Sequence, residues 1–189
     1  MKVLVVDNYD SFTFNLVNIL RKSKHLSYEV IKSGEIKMEA VAGFDKILFS
    51  PGPDVPKEND TMWQILQKYG NCKSILGVCL GFQAIGIFYG ARLINLQDVF
   101  HGKKIQVEIV EPNERIFQGI KSPFEAGLYH SWGLSDEGFP VDLKVTARSL
   151  DGRIMALSHR NYDIRGVQFH PESVMTTEGE KMIHNWLWE

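Results

Sequence analysis

What this sequence has little of narrows its possibilities first. It holds only two cysteines, Cys72 and Cys79, in 189 residues. Two are too few to staple a domain of this size, so disulfides are not expected and a reducing compartment is the simpler setting. It has no basic excess: 21 Lys and Arg stand against 23 Asp and Glu, a formal net charge of -2. Such a balance lacks the overall positive field that grips a phosphate backbone, and nucleic acid is not an expected partner. It also lacks an unbroken apolar run of membrane length. The uncharged stretch from Ile75 to Ala91 is interrupted by Gly77, Gly81, Gly86 and Gly90 and ends at Arg92, which predicts a buried strand entering a buried helix and no membrane contact. The opening Met1-Lys2-Val3-Leu4-Val5-Val6-Asp7 is too short in its apolar part for a signal peptide, so a cytoplasmic setting is expected. The six histidines show no H-x-x-x-H or mixed Cys/His spacing, and no metal site is expected. No repeat or low-complexity linker divides the chain, and one domain over 1–189 is expected.

What is present is an ordinary globular composition, 44% apolar and 23% charged, which excludes disorder. The first half alternates between β-rich runs and amphipathic periods. Lys2 to Val6 reads as a strand, followed by a helix with Ser11 as N-cap and Phe12, Leu16, Ile19 and Leu20 at helical spacing. Tyr28 to Ile31 reads as a second strand, Glu35 to Val41 as a weak helix, and Lys46 to Ser50 as a third strand. A helix starting at Asn59-Asp60 carries Met62, Ile65, Leu66 and Tyr69, and a fourth strand, Ser74 to Val78, runs into a Gly-rich helix from Gly81. Strands alternating with helices predict a mainly parallel open sheet with helices on both faces, of flavodoxin-like α/β class. The second half differs. Ile105, Val107 and Ile109, and likewise Leu143, Val145 and Ala147, alternate with polar residues, predicting half-buried antiparallel strands or a small added sheet. Arg165 to Phe169 reads as a last strand, and the closing helix shows a capping box in Thr177 and Glu180 before Met182, Ile183, Trp186 and Leu187.

Ligands of an open parallel sheet collect at the carboxyl ends of its strands, so the residues after each strand carry the functional signal. In Gly77-Val78-Cys79-Leu80-Gly81 a cysteine occupies the serine position of a nucleophile elbow. The turn exposes the side chain, the following helix N-terminus favours a thiolate, and the Leu80 N–H is placed to bind an oxyanion. Burial is the ordinary fate of a cysteine, and Cys72, between Asn71 and Lys73, is read that way. A thiol nucleophile needs a base. Gly166-Val167-Gln168-Phe169 delivers His170 at a strand end, with Glu172 close enough to hold the imidazole tautomer. His25, His159 and His184 are read as solvated, and His101 and His130 stay open. Pro51-Gly52-Pro53 is usually a rigid turn, but after a strand beside the elbow Gly52 is a second candidate oxyanion donor.

Taken together, Gly77-Val78-Cys79-Leu80-Gly81-Phe82-Gln83, Ser50-Pro51-Gly52-Pro53 and Gly166-Val167-Gln168-Phe169-His170-Pro171-Glu172-Ser173 resemble the class I glutamine amidotransferases. Asp7-Asn8-Tyr9-Asp10-Ser11-Phe12, His101-Gly102-Lys103 and Tyr129-His130-Ser131 look like one branch, the glutaminase subunits of anthranilate and aminodeoxychorismate synthases. The chain departs from that branch at Phe82, where His is usual, at Trp132, where Leu is common, and at Lys104-Ile105-Gln106. The resemblance implies a Cys79, His170 and Glu172 triad, oxyanion donors on Gly52 and Leu80, and L-glutamine held by Gln83, Ser131 and the main chain at Trp132. It implies no cofactor and a chorismate-binding synthase subunit as partner. The expected docking edge carries Tyr9, Asp10, Ser11, His101 and Lys103. Other readings of the same residues are a stand-alone cysteine hydrolase of γ-glutamyl compounds and a non-catalytic regulatory subunit.

Overall fold

The run Val3-Leu4-Val5-Val6 is apolar at every position because both of its faces are covered. In a computed structural model, which describes residues 1–96 and 102–188, it forms most of β1 (Lys2–Asp7), an inner strand of a sheet. Val3 and Val5 pack with Leu16, Leu20 and Trp186, and Leu4 and Val6 with Met62, Ile65 and Ile85 on the opposite face. Among the described residues the remaining elements are α1 (Thr13–Arg21), β2 (Ser27–Lys32), β3 (Lys46–Phe49), α2 (Thr61–Tyr69), β4 (Ser74–Val78), α3 (Leu80–Phe88), β5 (Leu93–Asn95) and β6 (Lys103–Ile109). They continue with β7 (Phe124–Leu128), β8 (Trp132–Leu134), β9 (Leu143–Ser149), β10 (Ile154–His159), β11 (Ile164–Val167) and α4 (Gly179–Trp188).

Nine strands form one sheet in the order β2-β1-β3-β4-β11-β10-β9-β6-β7, and β5 pairs with β8 apart from it. The pairings from β2 through to β11 are parallel, and those from β11 to β7 are antiparallel. The parallel half is the α/β sheet expected from the alternation of strands and helices. The half-buried strands of the second half extend that same sheet, while the separate antiparallel pair is β5 with β8. β4 lies between β3 and β11, so the segments following three neighbouring strands meet at one carboxyl edge.

Several local expectations are corrected. Ser11 does not cap α1. Phe12 is the N-cap, without a side-chain cap bond, because Asp10 Oδ1 already accepts the Phe12 N–H at 2.7 Å and Thr13 Oγ1 ties the turn to Asp7 Oδ1 at 3.0 Å. Glu35 to Val41 is no helix but two short 3-10 turns, Ser33–Glu35 and Ala40–Gly43, separated where the backbone becomes extended at Ile36. The Thr177 and Glu180 capping box does not form: α4 opens at Gly179, and the Glu180 carboxylate pairs with Lys22 at 2.7 Å. His159 is buried, its ring stacked on Tyr162 at 4.4 Å and its Nδ1 accepting the N–H groups of Asn161 and Tyr162. The Asp60 cap of α2 is present, with its side chain accepting the Trp63 N–H at 2.9 Å.

Strand β4 passes into α3 through a single residue, so the two elements nearly touch. A Cβ on Gly77 would lie 2.4 Å from the Gly81 carbonyl carbon, and one on Gly81 would lie 2.6 Å from Phe49 Cβ and 2.8 Å from its backbone oxygen. Gly81→Ala sets about 1 kcal/mol of helix propensity against an overpacking cost of about 1–3 kcal/mol. Since the obstruction is backbone and a buried Cβ, the second effect wins. Urea denaturation of this variant is expected to show a lower midpoint at unchanged slope.

Candidate active site

Cys79 is the residue between β4 and α3, at φ 51° and ψ -97°. That conformation costs a non-glycine residue roughly 1–3 kcal/mol. It is held by the Cys79 N–H donating to the Val167 carbonyl at 2.9 Å and by the Cys79 carbonyl accepting the Gln83 N–H at 3.0 Å. The side chain stands at the N-terminus of α3, where first-turn N–H groups, that of Leu80 among them, have no helical acceptor and the helix dipole favours negative charge. Against the expectation of burial, Cys72 is exposed in the turn after α2, its Sγ 3.5 Å from the Tyr69 carbonyl.

From β11 the chain continues through Gln168 and Phe169 to His170. The backbone there is clamped: the His170 N–H donates to the Gly127 carbonyl at 3.1 Å. The Thr176 hydroxyl donates to the His170 carbonyl at 2.6 Å and accepts the Gly127 N–H at 3.0 Å. Glu172 Oε1 lies 2.6 Å from His170 Nδ1, with side chains only 3% and 0% exposed for His170 and Glu172. A carboxylate at Nδ1 fixes a proton there and leaves Nε2 for the Cys79 side, where it is buried without a formed hydrogen bond. Burial by itself would push the imidazole down, but the nearby Cys79 side chain and the Glu172 carboxylate on Nδ1 outweigh it and raise His170 above its ordinary value. The rings of Phe12 and Tyr129 close on the imidazole at 5.3 and 4.9 Å.

These groups open on a cleft of about 300 Å³ lined by Cys79, Leu80, Gly52, Gln83, Ser131, Trp132, His170, Asp10 and Ser11, among others. Tyr9 and Lys103 lie outside that lining. Tyr9 is 60% exposed at φ 62°, and Lys103 is exposed at the start of β6 opposite Leu128. His101 lies outside the described residues. The sequence reading missed Phe12 and Tyr129 as walls around His170; only their positions after β1 and β7 could have signalled it. It also left His130 open. His130 Nδ1 is 2.7 Å from the Trp132 carbonyl, which Gln83 Nε2 also reaches at 3.0 Å. Among the described residues no group of three or more His, Cys, Asp or Glu is placed to hold a metal ion, and no helix is long and apolar enough to cross a membrane.

Burial lowers His130 to about 4, against smaller opposing help from the Trp132 carbonyl. The folded ring therefore stays neutral where the unfolded chain, titrating near 6.5, takes up a proton. Stability present above pH 6.5 is lost as pH falls toward 4, by an amount on the order of 3 kcal/mol. Other groups titrate in this range too, so the expected result is a difference: chemical denaturation at stepped pH should show a flatter acid slope for His130→Gln than for the parent chain.

With this geometry in place, comparison with known proteins is informative. Residues 4–189 match the family described as glutamine amidotransferase class-I. A Haemophilus influenzae protein named as a candidate anthranilate synthase component II is 44% identical over 99% of this chain and 96% of its own length. Anthranilate synthase component 2 of Mycobacterium tuberculosis is 42% identical over 99% of this chain and 82% of its own. Among solved structures, a chain from Thermoplasma acidophilum described as a candidate GMP synthase subunit superposes with a TM-score of 0.87 at 25% identity, covering 99% of this chain and 92% of that one. A glutamine amidotransferase from Thermotoga maritima shares the fold, with a TM-score of 0.74 at 17% identity over 99% and 80% of the two chains. An elbow cysteine, a carboxylate-held histidine and this likeness along the chain's length lead to one conclusion: the chain belongs to the class I glutamine amidotransferases.

Proposed function

We propose that this chain, acting as one unit over 1–189, is the glutaminase subunit of a chorismate-using synthase. It hydrolyses L-glutamine to glutamate and ammonia and delivers the ammonia to a partner that makes anthranilate or 4-amino-4-deoxychorismate. The observation that carries the reading is Cys79 at a left-handed turn on a helix N-terminus, facing an imidazole whose far nitrogen is held by Glu172 at 2.6 Å. The relatives named above, matched over most of their length, support the partner.

In this mechanism the Cys79 thiolate attacks the side-chain carbonyl carbon of glutamine, and the tetrahedral oxyanion is received by the N–H groups of Gly52 and Leu80. His170, protonated by the Cys79 thiol, gives that proton from Nε2 to the leaving nitrogen as the C–N bond breaks, releasing ammonia. It then takes a proton from water, whose oxygen attacks the thioester, and returns it to sulfur as glutamate leaves. Glu172 holds the tautomer throughout. Gln83, Ser131 and the Trp132 main chain hold the substrate. Because both Gln83 Nε2 hydrogens are engaged, on the Trp132 carbonyl and on Gln168 Oε1, Gln83 offers glutamine its acceptor oxygen. Tyr9, Asp10, Ser11 and Lys103, with His101 beyond the described residues, form the partner-facing edge, and burial within the partner keeps ammonia from becoming ammonium in bulk water.

Diazo-oxo-norleucine is expected to add to Cys79 and to abolish glutamine hydrolysis, both in the free chain and in its complex with a chorismate-binding subunit. An adduct mapped to Cys72, or full activity in Cys79→Ser, would sink the reading. Glu172→Gln is expected to lower kcat by roughly two to four orders of magnitude at a nearly unchanged KM, since a wrong tautomer blocks proton transfer and not binding. Steady-state kinetics of the complex decides it, and a KM effect without a kcat effect would make Glu172 a substrate contact.

A further inference from the structure

Behind Cys79 lies a donor that the mechanism above does not use. β11 pairs with β4 in register Val167 to Val78, so the next residue of each chain, Gln168 and Cys79, are neighbours across the sheet's carboxyl edge. Along this segment side chains alternate. Gly166 faces α3, where a Cβ would meet Phe82 at 3.1 Å, and Gln168, two residues on, points to the same side. It is fully buried, its Nε2 lies 3.7 Å from Cys79 Sγ, and its Oε1 accepts from Gln83 Nε2 at 3.2 Å.

A carboxamide can be placed either way round, but here the chain of contacts decides the orientation. The Trp132 carbonyl can only accept. Gln83 must therefore present its NH₂ to that carbonyl, and its second hydrogen goes to Gln168. Gln168 must meet that hydrogen with oxygen, which leaves its own NH₂ turned to the sulfur. The reverse arrangement would put two oxygens, or two NH₂ groups, face to face in a buried site. His130 Nδ1, at 2.7 Å from the same carbonyl, anchors the far end of the series.

We propose that Gln168 is a further catalytic residue, whose carboxamide N–H stabilises the Cys79 thiolate in an orientation imposed through Gln83 by the Trp132 carbonyl. A hydrogen bond to a charged acceptor is stronger than one to a neutral acceptor, so this N–H favours S⁻ over S–H. Gln168 lines the neighbouring cavity of about 390 Å³, with His130, Met155 and Arg153, and is not among the residues that line the glutamine cleft. Its N–H therefore stays on sulfur when substrate binds and is released only as the C–S bond neutralises the charge. The inference rests on Cys79 being the nucleophile of the proposed glutaminase.

The test is the rate of Cys79 alkylation by iodoacetamide across pH, with Cys79 and Cys72 separated by peptide mapping. The other titratable groups around the sulfur are His170 from the segment after β11, His130 and Tyr129 from the β7–β8 turn, and Asp10 and Asp54 from the loops after β1 and β3; all of them remain in the variants. In Gln168→Met, of similar length but without a donor, the alkylation rate at pH 7 is expected to fall about tenfold. The loss should shrink as rising pH ionises the thiol by itself, and kcat of the complex should fall with KM for glutamine little changed. Gln83→Met, which cannot donate to Gln168 and adds no charge, should show the same pH-dependent loss in weaker form, and it carries the test if Gln168→Met does not fold. A loss equal at every pH, or no loss, overturns the proposal. If diazo-oxo-norleucine labels a residue other than Cys79, the functional reading falls and takes this inference with it. If it labels Cys79 while both variants alkylate as the parent does, only the inference falls.

Discussion

The backbone passes from β4 into α3 through one residue, and because that residue sits at φ 51° strand and helix come together at once. The requirement propagates. Gly77 and Gly81 must lack side chains, Phe49 on β3 must lie against Gly81, and Gly166 on β11 must lie against Phe82. Each of these contacts brings a neighbouring strand into register with the elbow. β3 then releases Pro51-Gly52-Pro53 and β11 releases Gln168 to His170 at the level of the Cys79 sulfur. The site is thus a consequence of close packing at the sheet's centre, and the strain of the turn is carried by hydrogen bonds from two sides of Cys79.

The electrostatics follow the same economy of position. Three groups surround the Cys79 sulfur in the proposed mechanism: the first turn of α3, the Gln168 carboxamide and the His170 imidazole with Glu172 behind it. His130, close by, is driven the other way and kept neutral by burial. Two histidines near one cysteine are therefore shifted in opposite directions, because burial acts almost alone on His130, which has only a peptide carbonyl on its ring nitrogen, while on His170 it is outweighed by Cys79 and the Glu172 carboxylate.

Much of this was legible in the sequence where a residue's role is set by its immediate neighbours in the chain. Strands β1, β3 and β4 show as continuous apolar runs because both sheet faces are buried, and the elbow shows in the glycine spacing around Cys79. Parallel strand order brings the segments after β1, β3, β4 and β11 to one edge, whereas Ser131 and Trp132 arrive from the turn between the antiparallel strands β7 and β8. Features set by distant partners were not legible. Ser11 looked like a cap until Asp10 and Asp7 took the turn's hydrogen bonds, and Glu180 looked like half of a capping box until Lys22 took its carboxylate. His159 looked solvated because its ring is covered by Tyr89, seventy residues earlier, as well as stacked on the nearby Tyr162. Gln168 sat in plain view within the strand before His170, yet its meaning depends on an orientation fixed by Trp132, far away in sequence.

β7 is the last strand of the sheet, bonded to β6 on one side, and an unpaired strand edge is an invitation to another chain. Its outer edge is not left bare. The Gly127 carbonyl is taken by the His170 N–H, the Gly127 N–H by the Thr176 hydroxyl, and the Glu125 carbonyl by the Thr177 N–H. The segment that presents His170, the proposed base, is therefore also the guard of the sheet's exposed border. Loosening that segment would displace His170 and uncover a sticky edge in the same event, which ties solubility to the integrity of the site and makes molecules opened there the ones most prone to aggregate.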